Sequence, residues 1–442
     1  MSDDFERRPI PRGRLSRLSQ FGRLAGGVAG GMVAEGARRL AKGERPRISN
    51  LILTPGNARR LADRLSHLRG AAMKLGQMIS MDAGDLLPPE LATIMATLRN
   101  QAYRMPPQQL DAVLRQEWGP DWRRRFARFD ASPIAAASIG QVHRAELPDG
   151  RKLAIKVQYP GVRASISADV DNVATLLRVS NLLPSTLDLA PLLGEAKRQL
   201  SEEADYLREA GHLRDYAARL AGDPRYVTPE LVDELTTANV LAMTFVAGEP
   251  IEALLDAPQN VRDRAMTVLI ELVLRELFEF GMMQTDPNFA NYQWQADTGR
   301  LVLLDFGATR PIPAATSAAY RALIVAGLAH DRERIREIAV ATGFLGAAAV
   351  ETHRAAVDRI IAAIDDAMAR PGPFDFADRA FVPVLRAEAP RLAQDRATWH
   401  VPDVETLFVQ RKVSGTALLA ARLSARVDVT GLAAAAVGKL QR

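Results

Sequence analysis

The chain has 442 residues, with 57 Lys and Arg against 52 Asp and Glu, six His and no Cys, and 48% of it is hydrophobic. That length allows two or three structural units with sizeable cores, and 25% charged residues is a globular proportion. The lack of cysteine excludes a disulfide scaffold, cysteine-ligated zinc, an iron–sulfur cluster and a thiol nucleophile. His67, His143, His212, His330, His353 and His400 show no paired ligand spacing, so any metal chemistry has to use oxygen ligands.

The net charge of +5 is unevenly placed. Residues 1–47 hold 11 Lys and Arg against 5 Asp and Glu, so the remaining body is close to neutral. This argues against nucleic acid as a partner, which calls for basic residues over a face of the fold, and points to a basic leader acting on its own. Only seven of the basic residues are Lys, so each lysine position is informative.

No apolar run approaches the roughly 18 residues that a membrane span needs, and Leu24 to Ala34 is too short and too rich in glycine. Asp3, Asp4 and Glu6 among Arg7, Arg8, Arg12, Arg14 and Arg17 are unlike a transit peptide, and the start reads as that of a bacterial cytoplasmic chain. Phe21 to Leu40 reads either as a small-residue helix, with Gly26/Gly30 and Gly27/Gly31 available for helix packing or shallow membrane contact, or as a flexible leader. From Thr54 and Pro55 onward, Leu61, Leu65, Leu68, Ala72, Leu75 and Ile79 recur at helical spacing, and this amphipathic helix carries Lys74, Gly76 and Gln77. Short helices are predicted over Pro89–Asn100 and Pro107–Trp118, and the pattern turns strand-like from Asp130. Gly140–Leu147 and Lys152–Tyr159 flank Pro148, Asp149 and Gly150 as a β-hairpin. Helical patterns follow over Ile166–Leu183 and Leu192–Leu220, then a short strand over Val240–Met243. From residue 252 onward nearly everything reads as helix except one hairpin around Asp286 to Phe306.

Three clusters could carry chemistry. On the hairpin strand, Leu153, Ile155 and Val157 share one face and Lys156 takes the other. Lys156 is either an ordinary exposed lysine or, with the small-residue loop Ala135, Ala136, Ala137, Ser138 just upstream, a phosphate-binding one. Downstream, Asp286 precedes Asn291 by five residues, and the apolar strand Leu301–Leu304 runs into Asp305, Phe306 and Gly307. Phosphoryl transfer needs such a set: one carboxylate to accept a hydroxyl proton, and an amide with a second carboxylate to hold Mg²⁺ on the phosphates. A phosphate lysine also needs a helix glutamate as its ion-pair partner; Glu203 is the candidate, with Glu195 and Glu209 as rivals, and a solvated acidic helix face is the alternative.

As a set, these residues resemble the UbiB-type atypical kinase-like family, in particular its soluble branch of coenzyme Q biosynthesis proteins. The likeness is carried by KLGQ at 74–77, PIAAASIGQVHRAEL at 133–147 with AIKVQYPGV at 154–162, EADYLREA at 203–210, GMMQTDPNFAN at 281–291 and LLDFGATR at 303–310, and spans about residues 22 to 420. It implies an α+β, two-lobed protein-kinase-like fold with an added N-terminal helical extension. Its divisions would be a basic Gly-rich leader (1–47), the extension with the KxGQ motif (48–130), an N-lobe (131–247) and a helical C-lobe (248–442). It further implies that Lys156, Glu203 and Asp286 are the catalytic set and that Asn291 and Asp305 are Mg²⁺ ligands. Ala135, Ala136, Ala137 and Ser138, with Met243, Thr244, Phe245 and Val246, would contact ATP or ADP. The helix of Lys74, Gly76 and Gln77 is implied to lie across the catalytic cleft, with Lys74 near Glu203 and Asp205 of the family's ExD motif, excluding protein substrates.

Departures from ordinary protein kinases agree with this: Gln284 stands where a His is usual, two residues before Asp286, and no Ala-Pro-Glu follows Gly307. The family's other bacterial branch has C-terminal transmembrane segments, and Val427–Arg442 is too short and charged to be one. The expected function is an ATP-dependent atypical kinase or ATPase supporting ubiquinone biosynthesis, acting on small-molecule or lipid-like quinone precursors. It would sit peripherally at the bacterial inner membrane beside other ubiquinone-biosynthesis enzymes, its basic leader contributing about 1 kcal/mol per residue at anionic lipids. A homodimer through the glycine cluster is allowed. The alternatives are a nucleotide-binding scaffold organising quinone-biosynthesis enzymes and a small-molecule kinase resembling aminoglycoside phosphotransferases, which would not need the KxGQ motif.

Overall fold

The computed structural model describes residues 105–137, 139–179, 190–394 and 404–438. The helix expected to carry Lys74, Gly76 and Gln77, the Pro89–Asn100 helix, the glycine-rich leader and Ser138 lie outside the described residues. Along the chain, α1 (Pro107–Trp118) precedes β1 (Arg128–Phe129), β2 (Ala135–Ala136), β3 (Gly140–Glu146) and β4 (Lys152–Gln158). Then come α2 (Val162–Val179), α3 (Ala190–Glu203), α4 (Tyr206–Leu220), β5 (Tyr226–Val227), β6 (Val240–Thr244), β7 (Glu249–Pro250) and α5 (Gln259–Arg275). A π-helical turn, Glu276–Phe280, leads into β8 (Met282–Gln284), β9 (Tyr292–Gln295), β10 (Arg300–Leu303) and β11 (Thr309–Pro311). The rest is helical, α6 (Ala314–Leu328), α7 (Arg332–Ala341), α8 (Ala347–Met368), α9 (Val382–Gln394), α10 (Val404–Arg422) and α11 (Val429–Gly438), with one short strand pair, β12 (Phe374–Asp375) and β13 (Arg426–Val427).

These elements form two compact units, one of residues up to Gly211 with Glu230–Phe245, the other of His212–Pro229 with everything from Val246. In the first, α1 occupies the range its sequence predicts. Pro107 sits in its first turn, where no N–H is missed, Leu110, Leu114 and Trp118 are buried four residues apart, and Gly119 (φ 88°) ends it. The sheet is antiparallel in the order β1-β3-β4-β6, with β2 also on β3. The predicted hairpin is β3–β4: the Leu147 N–H donates to Arg151 O at 2.9 Å, and Gly150 supplies the positive φ of 87° that the turn requires. Leu153, Ile155 and Val157 are fully buried and join Leu114, Trp122 and Val240 in one core.

The second unit differs from its sequence reading. Besides the hairpin β9–β10, which β5 extends in parallel and β7 on the other edge, β8 pairs with β11 in a separate ribbon, Thr309 opposite Gln284. Three-residue strands of mixed polarity give no alternation long enough to be seen against helical neighbours, so the segment read as helix with one hairpin holds more strand.

His143 is fully buried on β3 and stacks on Phe129 at 5.5 Å. Its Nδ1 lies 2.8 Å from the Asp130 carbonyl, which can only accept, so Nδ1 carries the hydrogen. Nε2 therefore accepts from the Gln141 amide at 2.8 Å, whose own oxygen accepts the Met105 N–H at 2.9 Å. Burial lowers the His143 pKa to about 4 from an ordinary 6.5. The unfolded chain then takes a proton at 6.5 that the folded chain refuses until about 4, so stability is full above 6.5 and falls as the pH drops toward 4. Between pH 7.5 and 5 this loss is about 2 kcal/mol. Denaturant unfolding at the two pH values should show it in the wild type, and His143→Asn should flatten it; equal slopes in both proteins would refute the assignment.

Candidate active site

Lys156 projects from β4 on the side opposite Leu153, Ile155 and Val157, yet it is only 9% exposed. Its ammonium group donates to both oxygens of Glu209, at 2.8 and 2.9 Å, and lies 5.1 Å from the centre of the Tyr206 ring. The partner is therefore Glu209 rather than Glu203. The expected single helix over Leu192–Leu220 is broken at Ala204 and Asp205. Glu203 is the last residue of α3, and the break turns the chain so that the first turn of α4 brings Glu209 under the strand.

Two hydrogen bonds fix the break. Gln158, two residues beyond Lys156 on the same face of β4, donates from its amide to Ala204 O at 2.7 Å. Asp205 accepts the Arg208 N–H at 3.1 Å in the manner of a helix N-cap. Above them the small-residue loop is a tight hairpin, Ala135 facing Val142 and Ala136 facing Gln141, with the Ala137 N–H donating to Gly140 O at 2.8 Å. Ala135 and Ala136 are exposed. Gly140 is required at the base of this loop, since a Cβ there would lie 2.5 Å from Val157 O and 2.7 Å from the Tyr206 hydroxyl. Met243 and Thr244 end β6, where the Thr244 N–H donates to Glu230 O and the Phe245 N–H to Lys152 O, both at 2.8 Å.

In the second unit, Asp286 follows β8, and Asn291, at the end of a single 3-10 turn, immediately precedes β9. The Asn291 amide donates to an Asp286 carboxylate oxygen at 3.2 Å, and Arg411 of α10 donates to the other at 3.4 Å. The Leu304 N–H donates to Asn291 O at 3.1 Å, which sets Asp305 beside Asn291 at the end of β10. One Asp305 oxygen accepts the Gly307 N–H at 2.9 Å. Asp286 leaves the ribbon of β8 and β11, Asn291 enters the sheet of β9 and β10, and the 285–291 loop joins the two. After Gly307 the chain passes through β11 directly into α6 at Ala314, with only residues 308–313 between them.

The family model for the ABC1 atypical kinase-like domain matches residues 97–339, more than half of the chain. The chain belongs to this family. Its fold is accordingly kinase-like, with mixed helices and small sheets. Among curated ABC1-family proteins, it is 37% identical to the mitochondrial atypical kinase COQ8 of Saccharomyces cerevisiae, over 97% of this chain and 86% of that protein. It is 35% identical to the mitochondrial atypical kinase COQ8B of Danio rerio, over 96% of this chain and 69% of that protein. The solved structure of an Rv3197–erythromycin complex from Mycobacterium tuberculosis shares the fold, with a TM-score of 0.60 and 24% identity over 85% of this chain and 94% of that one.

The residues that sequence patterns did not single out are Glu276, Arg411 and Lys412. Helix α10 lies against the loop that carries Asp286 so closely that a Cβ on Gly415 would fall 2.1 Å from the Cβ of Pro287. A glycine inside a helix costs roughly 0.5–1 kcal/mol relative to alanine, and here it permits that approach. The one available signal was the lysine at 412, one of seven in a chain that otherwise uses arginine.

Breaking the Lys156–Glu209 pair removes the two short hydrogen bonds that hold a buried ammonium group. Glu209→Gln is expected to destabilise the protein by about 3 kcal/mol in denaturant unfolding. Glu203→Gln, which leaves Lys156 paired, should lower stability less; equal losses would reject Glu209 as the lysine's partner.

Proposed function

We propose that this ABC1-family chain is an ATP-dependent atypical kinase or ATPase that supports ubiquinone biosynthesis, acting on small-molecule or lipid-like quinone precursors at a membrane surface. The observation that carries the reading is the Lys156–Glu209 pair. Held bidentate at 2.8 and 2.9 Å on a rigid strand, the lysine has the fixed placement that a phosphate contact demands. In its assigned role Lys156 binds nucleotide phosphates, with the backbone around Ala135, Ala136, Ala137 and Ser138 as a further phosphate contact. Met243, Thr244, Phe245 and Val246 contact the base.

Asp286 accepts the proton of the attacking hydroxyl or water. The Asn291 amide and Arg411 hold its carboxylate by one oxygen each, which fixes its orientation. Among the described residues no group of three or more His, Asp or Glu could hold a metal by itself. Asn291 and Asp305 are instead the sparse oxygen set suited to Mg²⁺ that keeps phosphate oxygens among its ligands. When bound, Mg²⁺ would neutralise charge on those phosphates.

The short passage from Gly307 to Ala314 supports a small acceptor, because it leaves little chain for a peptide-binding activation segment. Among the described residues no helix is long and apolar enough to cross a membrane, and the surplus of basic residues in 1–47 supports peripheral contact with anionic lipids. The KxGQ residues Lys74, Gly76 and Gln77, with Glu203 and Asp205, are proposed to regulate the site, and ubiquinone-biosynthesis enzymes to be its partners.

The test is ATP hydrolysis with Mg²⁺, with and without anionic liposomes. Wild-type turnover should rise with liposomes and fall at least about a hundredfold in both Asp286→Asn and Asp305→Asn. Unchanged turnover in Asp305→Asn would remove the metal assignment, and wild type that binds nucleotide without turning it over would make the protein a scaffold.

A further inference from the structure

Lys412 is fully buried, and so is Glu276, whose Oε2 lies 3.4 Å from the Lys412 ammonium. Besides this ion pair, the ammonium group donates to the Gln284 side-chain oxygen at 3.4 Å and the Tyr292 hydroxyl at 2.7 Å. Gln284 stands two residues before Asp286, and Tyr292 directly follows Asn291. A single charge thus grips both ends of the loop that carries the proposed proton acceptor and one metal ligand. Glu276 completes the grip: its Oε1 accepts the Gln284 backbone N–H at 3.2 Å and the Tyr216 hydroxyl at 2.7 Å. Gln284 is therefore held by both backbone and side chain, at the position where protein kinases place a histidine. Glu276 opens the π-helical turn that ends α5, and such turns are frequent at functional sites.

A buried ion pair is poor support for stability, because desolvation offsets its attraction, and well-packed neutral groups of similar volume often do as well. A buried ion pair at this place therefore calls for another reason, and the loop supplies one. We propose that Lys412 is a positioning residue for phosphoryl transfer, whose ammonium group, fixed by Glu276, sets the conformation of residues 284–292 and so the placement of Asp286 and Asn291. The inference rests on the phosphoryl-transfer reading for its effect on rate, but not for its effect on the loop.

The test uses the full chain carrying Lys412→Met with Glu276→Gln. The double variant removes both charges at nearly constant volume, while the glutamine oxygen can still accept from Tyr216 and Gln284. Thermal stability should stay near wild type, turnover should fall about ten- to a hundredfold, and amide exchange over 284–292 should quicken without change elsewhere. Tyr292→Phe, which removes only a hydroxyl, should move turnover and local exchange in the same direction by a smaller factor, and it decides the matter if the double variant does not fold. Wild-type exchange over 284–292 in the folded variants would overturn the proposal. Exchange is read on nucleotide-free protein, so the proposal is decided even if the wild type hydrolyses no ATP, an outcome that would instead overturn the functional reading.

Discussion

The Lys156 side chain is almost wholly withdrawn from water against its β-sheet, and a carboxylate within hydrogen-bonding distance offsets the cost of holding its charge there. The architecture of the first unit follows from that requirement. The helical stretch behind the sheet has to stop and restart so that Glu209 can arrive from the first turn of α4. The interruption leaves the Ala204 carbonyl and the Arg208 N–H without helical partners, and the Gln158 amide and the Asp205 carboxylate answer for them. The Tyr206 side chain that the restart brings in then leaves no room for a Cβ at Gly140. Strand, helix break and small-residue loop are three expressions of one buried charge.

The second unit meets the same constraint through Lys412 and Glu276. Burial raises the pKa of Glu276, and the nearby lysine and Tyr216 hydroxyl only partly offset this. For Lys412, burial works against the charge, but the Glu276 carboxylate and Tyr292 outweigh it and the pKa is raised. The lysine stays protonated, and a protonated lysine with nowhere to escape has to use its donors. It spends them on the flanks of the Asp286 loop.

Much of this was legible in the sequence where the pattern is local. The α1 range, the β3–β4 hairpin with its Gly150 turn and the apolar run into Asp305 each follow from spacing over a few residues. Asp286 and Asn291 were legible for the same reason, since a five-residue spacing lets one side chain reach the other. The choice among Glu195, Glu203 and Glu209 was not, because the acidic residues share one helical pattern and the break at Ala204 is made by Gln158, 46 residues earlier in the chain. The β8–β11 ribbon is too short to carry a period. Lys412 reaches its partners across 120 and 128 residues, a separation at which periodicity carries no information.

The family match ends at residue 339, well before α10 begins at Val404. Arg411, Lys412 and Gly415 all stand beyond that limit, and all act on the loop of Asp286 and Pro287. The part of the chain that the family model matches is thus smaller than the part that shapes the Asp286 loop. A fragment cut at the edge of the matching region would keep every proposed nucleotide and metal contact and still lack the helix that holds its central carboxylate in place.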